Sequence, residues 1–121
     1  MNSDVLEALM GDPIELHREF VDLGIGITGA LFLSQAVRHS ANSFYGTGWF
    51  EMTGAQWREL TGLTRCEQET VRRVLRGLGL LHESKRGSPA RLHYRVDFER
   101  LRALLDARQA GGDASKQGGE Q

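Results

Sequence analysis

Apolar residues recur at helical spacing through much of the chain, then switch to strict alternation after residue 80. Ala30, Leu31, Leu33, Ala36 and Val37 leave only a narrow polar stripe, which predicts a largely buried helix from about Gly29 to Ser40. Leu16, Phe20 and Leu23 predict a shorter helix over residues 14–23, and Val5, Leu6, Leu9 and Met10 a helical turn before Gly11-Asp12-Pro13. Phe44 to Gly48 reads as a loop, and Trp49-Phe50-Glu51-Met52 as a short strand rich in aromatics.

Two helix starts follow in close succession. Thr53-Gly54-Ala55-Gln56 and Thr64-Arg65-Cys66-Glu67 both fit the capping-box template, in which a Thr hydroxyl and a Gln or Glu side chain satisfy exposed N–H groups. The first helix ends near Leu60 at Thr61-Gly62-Leu63, where Gly62 suits the left-handed conformation of a tight turn. Two capped helices around such a turn make a helix-turn-helix pattern. The second helix, about 65–78, places Glu67, Val71, Val74, Leu75 and Leu78 on one side. Arg65, Cys66, Glu69, Arg72, Arg73 and Arg76 fall on the other.

Residues 80–86 and 91–96 read as strands around the turn Gly87-Ser88-Pro89-Ala90. In the second, Leu92, Tyr94 and Val96 alternate with Arg91, His93 and Arg95, so one face is apolar and the other basic. A basic hairpin directly after a helix-turn-helix is a wing. Asp97 caps a last helix with Phe98, Leu101, Leu104 and Leu105 on one face. The expected fold is α+β and mostly helical: a winged helix-turn-helix with N-terminal helices and a C-terminal helix. Its expected limits are an N-terminal segment 1–13, a domain 14–108 and a disordered tail 109–121, which is rich in Gly, Gln and Ser.

Charge sharpens this picture. The formal net charge of the 121 residues is -1, yet residues 53–102 hold eleven basic and six acidic side chains, while residues 1–52 hold two basic and seven acidic ones. A chain polarised in this way can present a positive face to a polyanion. A recognition helix over 64–78 would lie in the major groove, where Arg pairs bidentately with guanine. The wing over 80–96 would bring Lys85, Arg86, Arg91 and Arg95 to the DNA backbone. Thr53 and Thr64, at helix N-termini, are natural phosphate contacts. The expected DNA-binding set is therefore Thr53, Thr64, Arg65, Gln68, Glu69, Arg72, Arg73, Arg76, Lys85, Arg86, Arg91 and Arg95. Against it stands the bland reading that charged helix faces are usually solvated, with Glu69 and Arg73 paired at i, i+4.

Gly48-Trp49-Phe50, Trp57, Thr61-Gly62-Leu63-Thr64, Glu67-Gln68-Glu69-Thr70, Arg72, Leu75, Leu78-Gly79-Leu80, Gly87-Ser88-Pro89-Ala90 and Tyr94 also resemble the N-terminal winged-helix domain of phage and plasmid replication proteins. Ala30-Leu31-Phe32-Leu33-Ser34-Gln35 is similar to the buried first helix of that family, so the likeness runs from about Ile14 to Leu105. It implies origin or operator binding through Arg65, Gln68, Glu69, Arg72 and the wing. Such proteins continue into a second domain that engages a helicase or its loader. A chain without that domain is expected to repress, regulate or act as a decoy.

Other chemistry has little support. Gly24-Ile25-Gly26-Ile27-Thr28-Gly29 matches G-x-G-x-x-G, but a dinucleotide site needs a preceding strand and a parallel one after the helix. His17, His39, His82 and His93 lack metal-ligand spacing, and the one cysteine, Cys66, supplies no pair. Neither a metal nor a cofactor is expected. With no Ser/His/Asp trio or paired carboxylates, the chain does not read as an enzyme. Trp49, Phe50 and Trp57 suit core packing better than a platform for single strands. The single cysteine and the start Met1-Asn2-Ser3-Asp4 point to a cytoplasmic protein with no membrane partner. Double-stranded DNA is the expected partner, with a replication or other protein as a second. Leu101, Leu104, Leu105 and the apolar N-terminal segment suggest a homodimer. The rival reading is a winged helix that binds protein, as an inhibitor or adaptor of a host or phage complex.

Overall fold

The computed structural model describes residues 14–43 and 46–120, with side chains through residue 109. The helical turn expected at Asn2–Met10 and the loop residues Phe44 and Tyr45 lie outside the described residues.

Among the described residues the fold is α+β, with four helices and a small antiparallel sheet of three strands. A helical turn, Arg18–Phe20, leads into a π-helical segment, Val21–Ile25, and then α1, Gly26–Ala41. Residues 14–23 therefore form less helix than their spacing predicts. Only Phe20 of the expected apolar face is buried, whereas Ile14 and Leu16 are exposed. The interruption has a backbone cause: Gly24 and Gly26 take φ of 84° and 74°, left-handed values that break an α-helix and that glycine adopts without a Cβ penalty.

Helix α1 is the central element and packs against the sheet and both helices that follow it. Ala30, Phe32, Leu33 and Ala36 are fully buried along it. By length and composition the stretch Arg18–Ala41 is apolar enough to cross a membrane; Phe20, Ile25, Ala30, Phe32, Leu33 and Ala36 of it lie in the core, while Ile27 is exposed. Ser40 finishes the helix with two bonds to the sheet. Its Oγ donates to the Gly48 carbonyl at 2.6 Å and accepts from the Val96 N–H at 3.2 Å.

The sheet comprises β1 (Trp49–Glu51), β2 (Leu81–Arg86) and β3 (Arg91–Val96), in the order β1-β3-β2. Pairing Phe50 with Tyr94 and Glu83 with Tyr94 fixes one inner face across all three strands. Aromatic rings tie that face to the helices. Phe32 of α1 stacks on Trp57 at 3.9 Å, and Trp57 meets Tyr94 edge-on at 5.5 Å. Helices α2 (Gly54–Thr61) and α3 (Arg65–Gly77) lie between β1 and β2 in the chain.

Helix α4 runs Phe98–Glu120. Asp97 caps it as expected, accepting from the Arg100 N–H at 2.9 Å. The backbone is helical well past residue 108, where the sequence predicts a tail without structure. Leu101 is buried and Leu104 and Leu105 are half-buried against this chain's own core. Of the surface that suggested a homodimer, these three leucines therefore pack within one copy, while Ile14 and Leu16 at the N-terminal side stay exposed. Phe98, expected on the same apolar face, is instead exposed.

Candidate nucleic-acid interface

Both capping boxes form. Thr53 Oγ1 accepts from the Gln56 N–H at 3.1 Å while Gln56 Oε1 accepts from the Thr53 N–H at 2.8 Å. At α3, Thr64 Oγ1 accepts from the Glu67 N–H at 3.3 Å, and Glu67 Oε1 accepts from the Thr64 N–H at 3.0 Å. Those bonds hold the Glu67 carboxyl below its ordinary pKa. Gly62 joins the helices with φ 75° and sends its N–H back to the Arg58 carbonyl at 2.7 Å. The two N-termini are therefore fixed by reciprocal side-chain and backbone bonds.

Helix α3 buries Gln68, Val71 and Leu75. Gln68 is thus not at the surface where the sequence places it. Its Nε2 donates to the Gly54 and Leu63 carbonyls, at 3.1 and 3.0 Å, bracing the α2–α3 turn from within. The helical period accounts for this: residues 68, 71 and 75 share one stripe, and the site accepts a polar side chain because two free carbonyls meet it. Val74, expected on the buried side, is exposed.

The arginines of α3 divide into two kinds. Arg65 makes a loose contact with Glu69 at 3.7 Å, both well exposed, in place of the Glu69–Arg73 pair expected from spacing. Arg72 and Arg76 do not simply face solvent. Both turn onto Glu83 of β2, whose side chain is only 11% exposed. Arg72 donates from Nε and Nη2 at 3.1 and 2.6 Å, and Arg76 from Nη1 to both oxygens at 2.9 Å. Burial pushes the Glu83 carboxyl up, but the bonds and charges of Arg72 and Arg76 outweigh it and hold the group below its ordinary pKa. Cys66 is exposed at the start of the helix.

The basic residues of the hairpin are dispersed as well. Lys85 is exposed on the strand face that carries Glu83. Arg91 pairs with Glu51 of β1 at 2.9 Å near the surface. Arg86 is drawn across the outer face of the sheet, its guanidinium 4.7 Å from the centroid of Trp49, and Arg95 lies 5.6 Å from the same ring. Trp49 is therefore only half-buried, outside the core that holds Phe50 and Trp57. The His82 Nε2 meets Asp97 Oδ2 at 3.0 Å.

An open cleft of about 880 Å³ separates the N-terminal ends of α2 and α3 from the tip of β3. Arg58, Arg65, Arg72 and Arg91 border it, with Glu51 and Glu69 between them. The sequence reading did not select Arg58. Its signal was positional: it follows the buried Trp57 on a helix whose N-terminus opens onto the cleft. Among the described residues Arg58, Arg73 and Lys85 are exposed cations without an ion-pair partner. Thr53, Arg65 and Glu69 also line the cleft, as does Gln68, whose amide is spent on the Gly54 and Leu63 carbonyls. Thr64 is exposed but is not part of this lining, and Arg86 is engaged on Trp49. No known protein family, curated protein sequence or solved structure matches the chain.

Proposed function

We propose that the chain is a winged helix-turn-helix protein that binds double-stranded DNA, with α3 in the major groove and the β2–β3 hairpin as the wing on the backbone. The resemblance of its motifs suggests a phage or plasmid setting, in replication or transcriptional regulation. The observation that carries the reading is the cleft itself: a capped helix pair and a hairpin border one open concavity with four arginines on its rim. Such a concavity matches a duplex edge, with the helix toward the bases and the hairpin toward phosphate.

Magnitudes separate the cations into two groups. The Arg65–Glu69 and Arg91–Glu51 pairs are exposed, and such pairs contribute about 0–1 kcal/mol, so a phosphate readily displaces the carboxylate. Arg58, Arg73 and Lys85 need no displacement. Three to five phosphate contacts would give log Kd a salt slope of about 3 to 5 per decade. The direct test is anisotropy of a labelled random-sequence duplex at several salt concentrations. Binding that weakens on that scale supports the reading. No binding at low salt rejects it.

One observation favours a protein partner instead. The N-terminal half carries the acidic excess, and Ile14, Leu16 and Ile27 are exposed there. Reversing Arg73 and Lys85 to Glu would abolish duplex binding and leave a partner on that surface untouched.

A further inference from the structure

Glu83 is the least exposed carboxylate in any ion pair among the described residues, and two arginines from one helix share it. Its four hydrogen bonds occupy both oxygens. The Arg72 guanidinium is fixed a second time, lying 5.5 Å from the centroid of the buried Tyr94 ring. Tyr94 and Glu83 are register partners on adjacent strands, so one rung of the sheet sets both contacts. A long side chain held edge-on by a carboxylate and face-on by an aromatic ring has lost most of its rotamers before any ligand arrives.

The donors left over matter. Arg72 has given Nε and Nη2 to Glu83 and keeps Nη1, while Arg76 has given Nη1 and keeps Nε and Nη2. Arg72 borders the main cleft, and with Glu69, Arg73 and Arg76 it also lines a shallow groove along α3. Free donors on pre-oriented guanidiniums are suited to base edges, where geometry decides. A mobile cation is better suited to phosphate, where charge decides.

We infer that Glu83 is a positioning residue for sequence recognition: it holds Arg72 and Arg76 as readers of base edges and keeps them off the phosphates. The inference rests on the DNA-binding reading above and adds to it a division of labour. Arg58, Arg73 and Lys85 supply affinity; Arg72 and Arg76, through Glu83, supply discrimination. A hairpin carboxylate in a DNA-binding face would otherwise only repel the ligand. Its burial under two arginines gives it a use.

The test is selection of bound duplexes from a random-sequence pool, with the full chain and with Glu83→Gln. The amide keeps the shape and removes the charge that holds both guanidiniums. We expect the unaltered chain to enrich a defined site. Glu83→Gln should bind the unselected pool at least as tightly, with a salt slope steeper by about 1 to 2. It should also lose at least about fivefold in preference for the site. A purely structural role would lower the melting temperature and leave the enriched site and the slope unchanged, which overturns the inference. Arg76→Ala gives an independent arm, since it leaves the Arg72–Glu83 pair in place and alters only a half-exposed side chain. It should relax one position of the selected site, and an unaltered site counts against the inference. If the unaltered chain binds duplexes but enriches no sequence, the inference fails and the DNA reading stands. Absence of all duplex binding removes both.

Discussion

The Arg86 guanidinium lies 4.7 Å from the centre of the Trp49 ring, on the opposite side of the sheet from the buried Tyr94. A basic side chain near the hairpin tip is thus folded back onto an aromatic residue of β1. Contacts of this kind at exposed sites contribute about 0.5–1 kcal/mol. Arg86→Ala should lower stability by about that amount in a urea titration and make Trp49 more accessible to acrylamide. Trp57 is fully buried and provides a steady background in the same spectrum. Unchanged quenching would show that Arg86 does not cover the ring in solution.

Gln68 makes a sharper contrast with the sequence reading. Removing its amide leaves the Gly54 and Leu63 carbonyls without their side-chain donor inside the α2–α3 turn. Gln68→Ala should therefore destabilise the fold by about 1–3 kcal/mol. If the chain selects a DNA site as proposed, that site, measured well below the melting temperature, should not change. A changed site with unaltered stability would return Gln68 to the reading surface.

The difference between what could and could not be read follows from how far apart the interacting groups lie in the chain. The capping boxes at Thr53 and Thr64 join residues three apart, and both form as the pattern predicts. Alternation in β3 likewise gave the right inner face, with Tyr94 and Val96 buried. Gln68 was misplaced because its polarity outweighed its position, although its spacing from Val71 and Leu75 put it on the buried stripe. Trp49 shows the reverse error. Its size suggested the core, while alternation with Phe50 puts it on the other face of β1. The Glu83 contacts had no local signal at all. They join a strand to a helix seven and eleven residues earlier, and only the packing of α3 on the sheet brings them together.

The caps themselves can be weighed. Replacing Thr64 by Ala removes the acceptor for the Glu67 N–H and should lower stability by about 0.5–2 kcal/mol. Thr64→Ser keeps the hydroxyl and should restore most of the loss. The same pair at Thr53 should behave alike, since its box has the same two bonds. Urea midpoints decide the matter: equal midpoints for the Ala and Ser variants would mean that the hydroxyls contribute nothing to the fold.

Acid titration isolates the Glu83 cluster from the rest of the molecule. Its carboxyl is held below the ordinary value of 4.5, so the folded state releases that proton more readily than the unfolded chain. The stabilisation is then complete above about pH 4.5 and is lost as pH falls through the lower folded value. Glu67 and Asp97 are lowered too, by hydrogen bonds from Thr64 and from Arg100 and His82, and they add to the loss of stability in the same range. His39, lowered from 6.5 by burial and by Arg38, begins to remove stability earlier in the acidification, as pH falls through about 6.5 and the unfolded chain takes up its proton first. A comparison of the unaltered chain with Glu83→Gln cancels these shared contributions. Their difference in unfolding free energy should stay flat through neutral pH and narrow below about pH 4.5. A difference that is already flat from neutral pH down to about pH 3 would mean that Arg72 and Arg76 do not hold the Glu83 carboxylate in the folded protein.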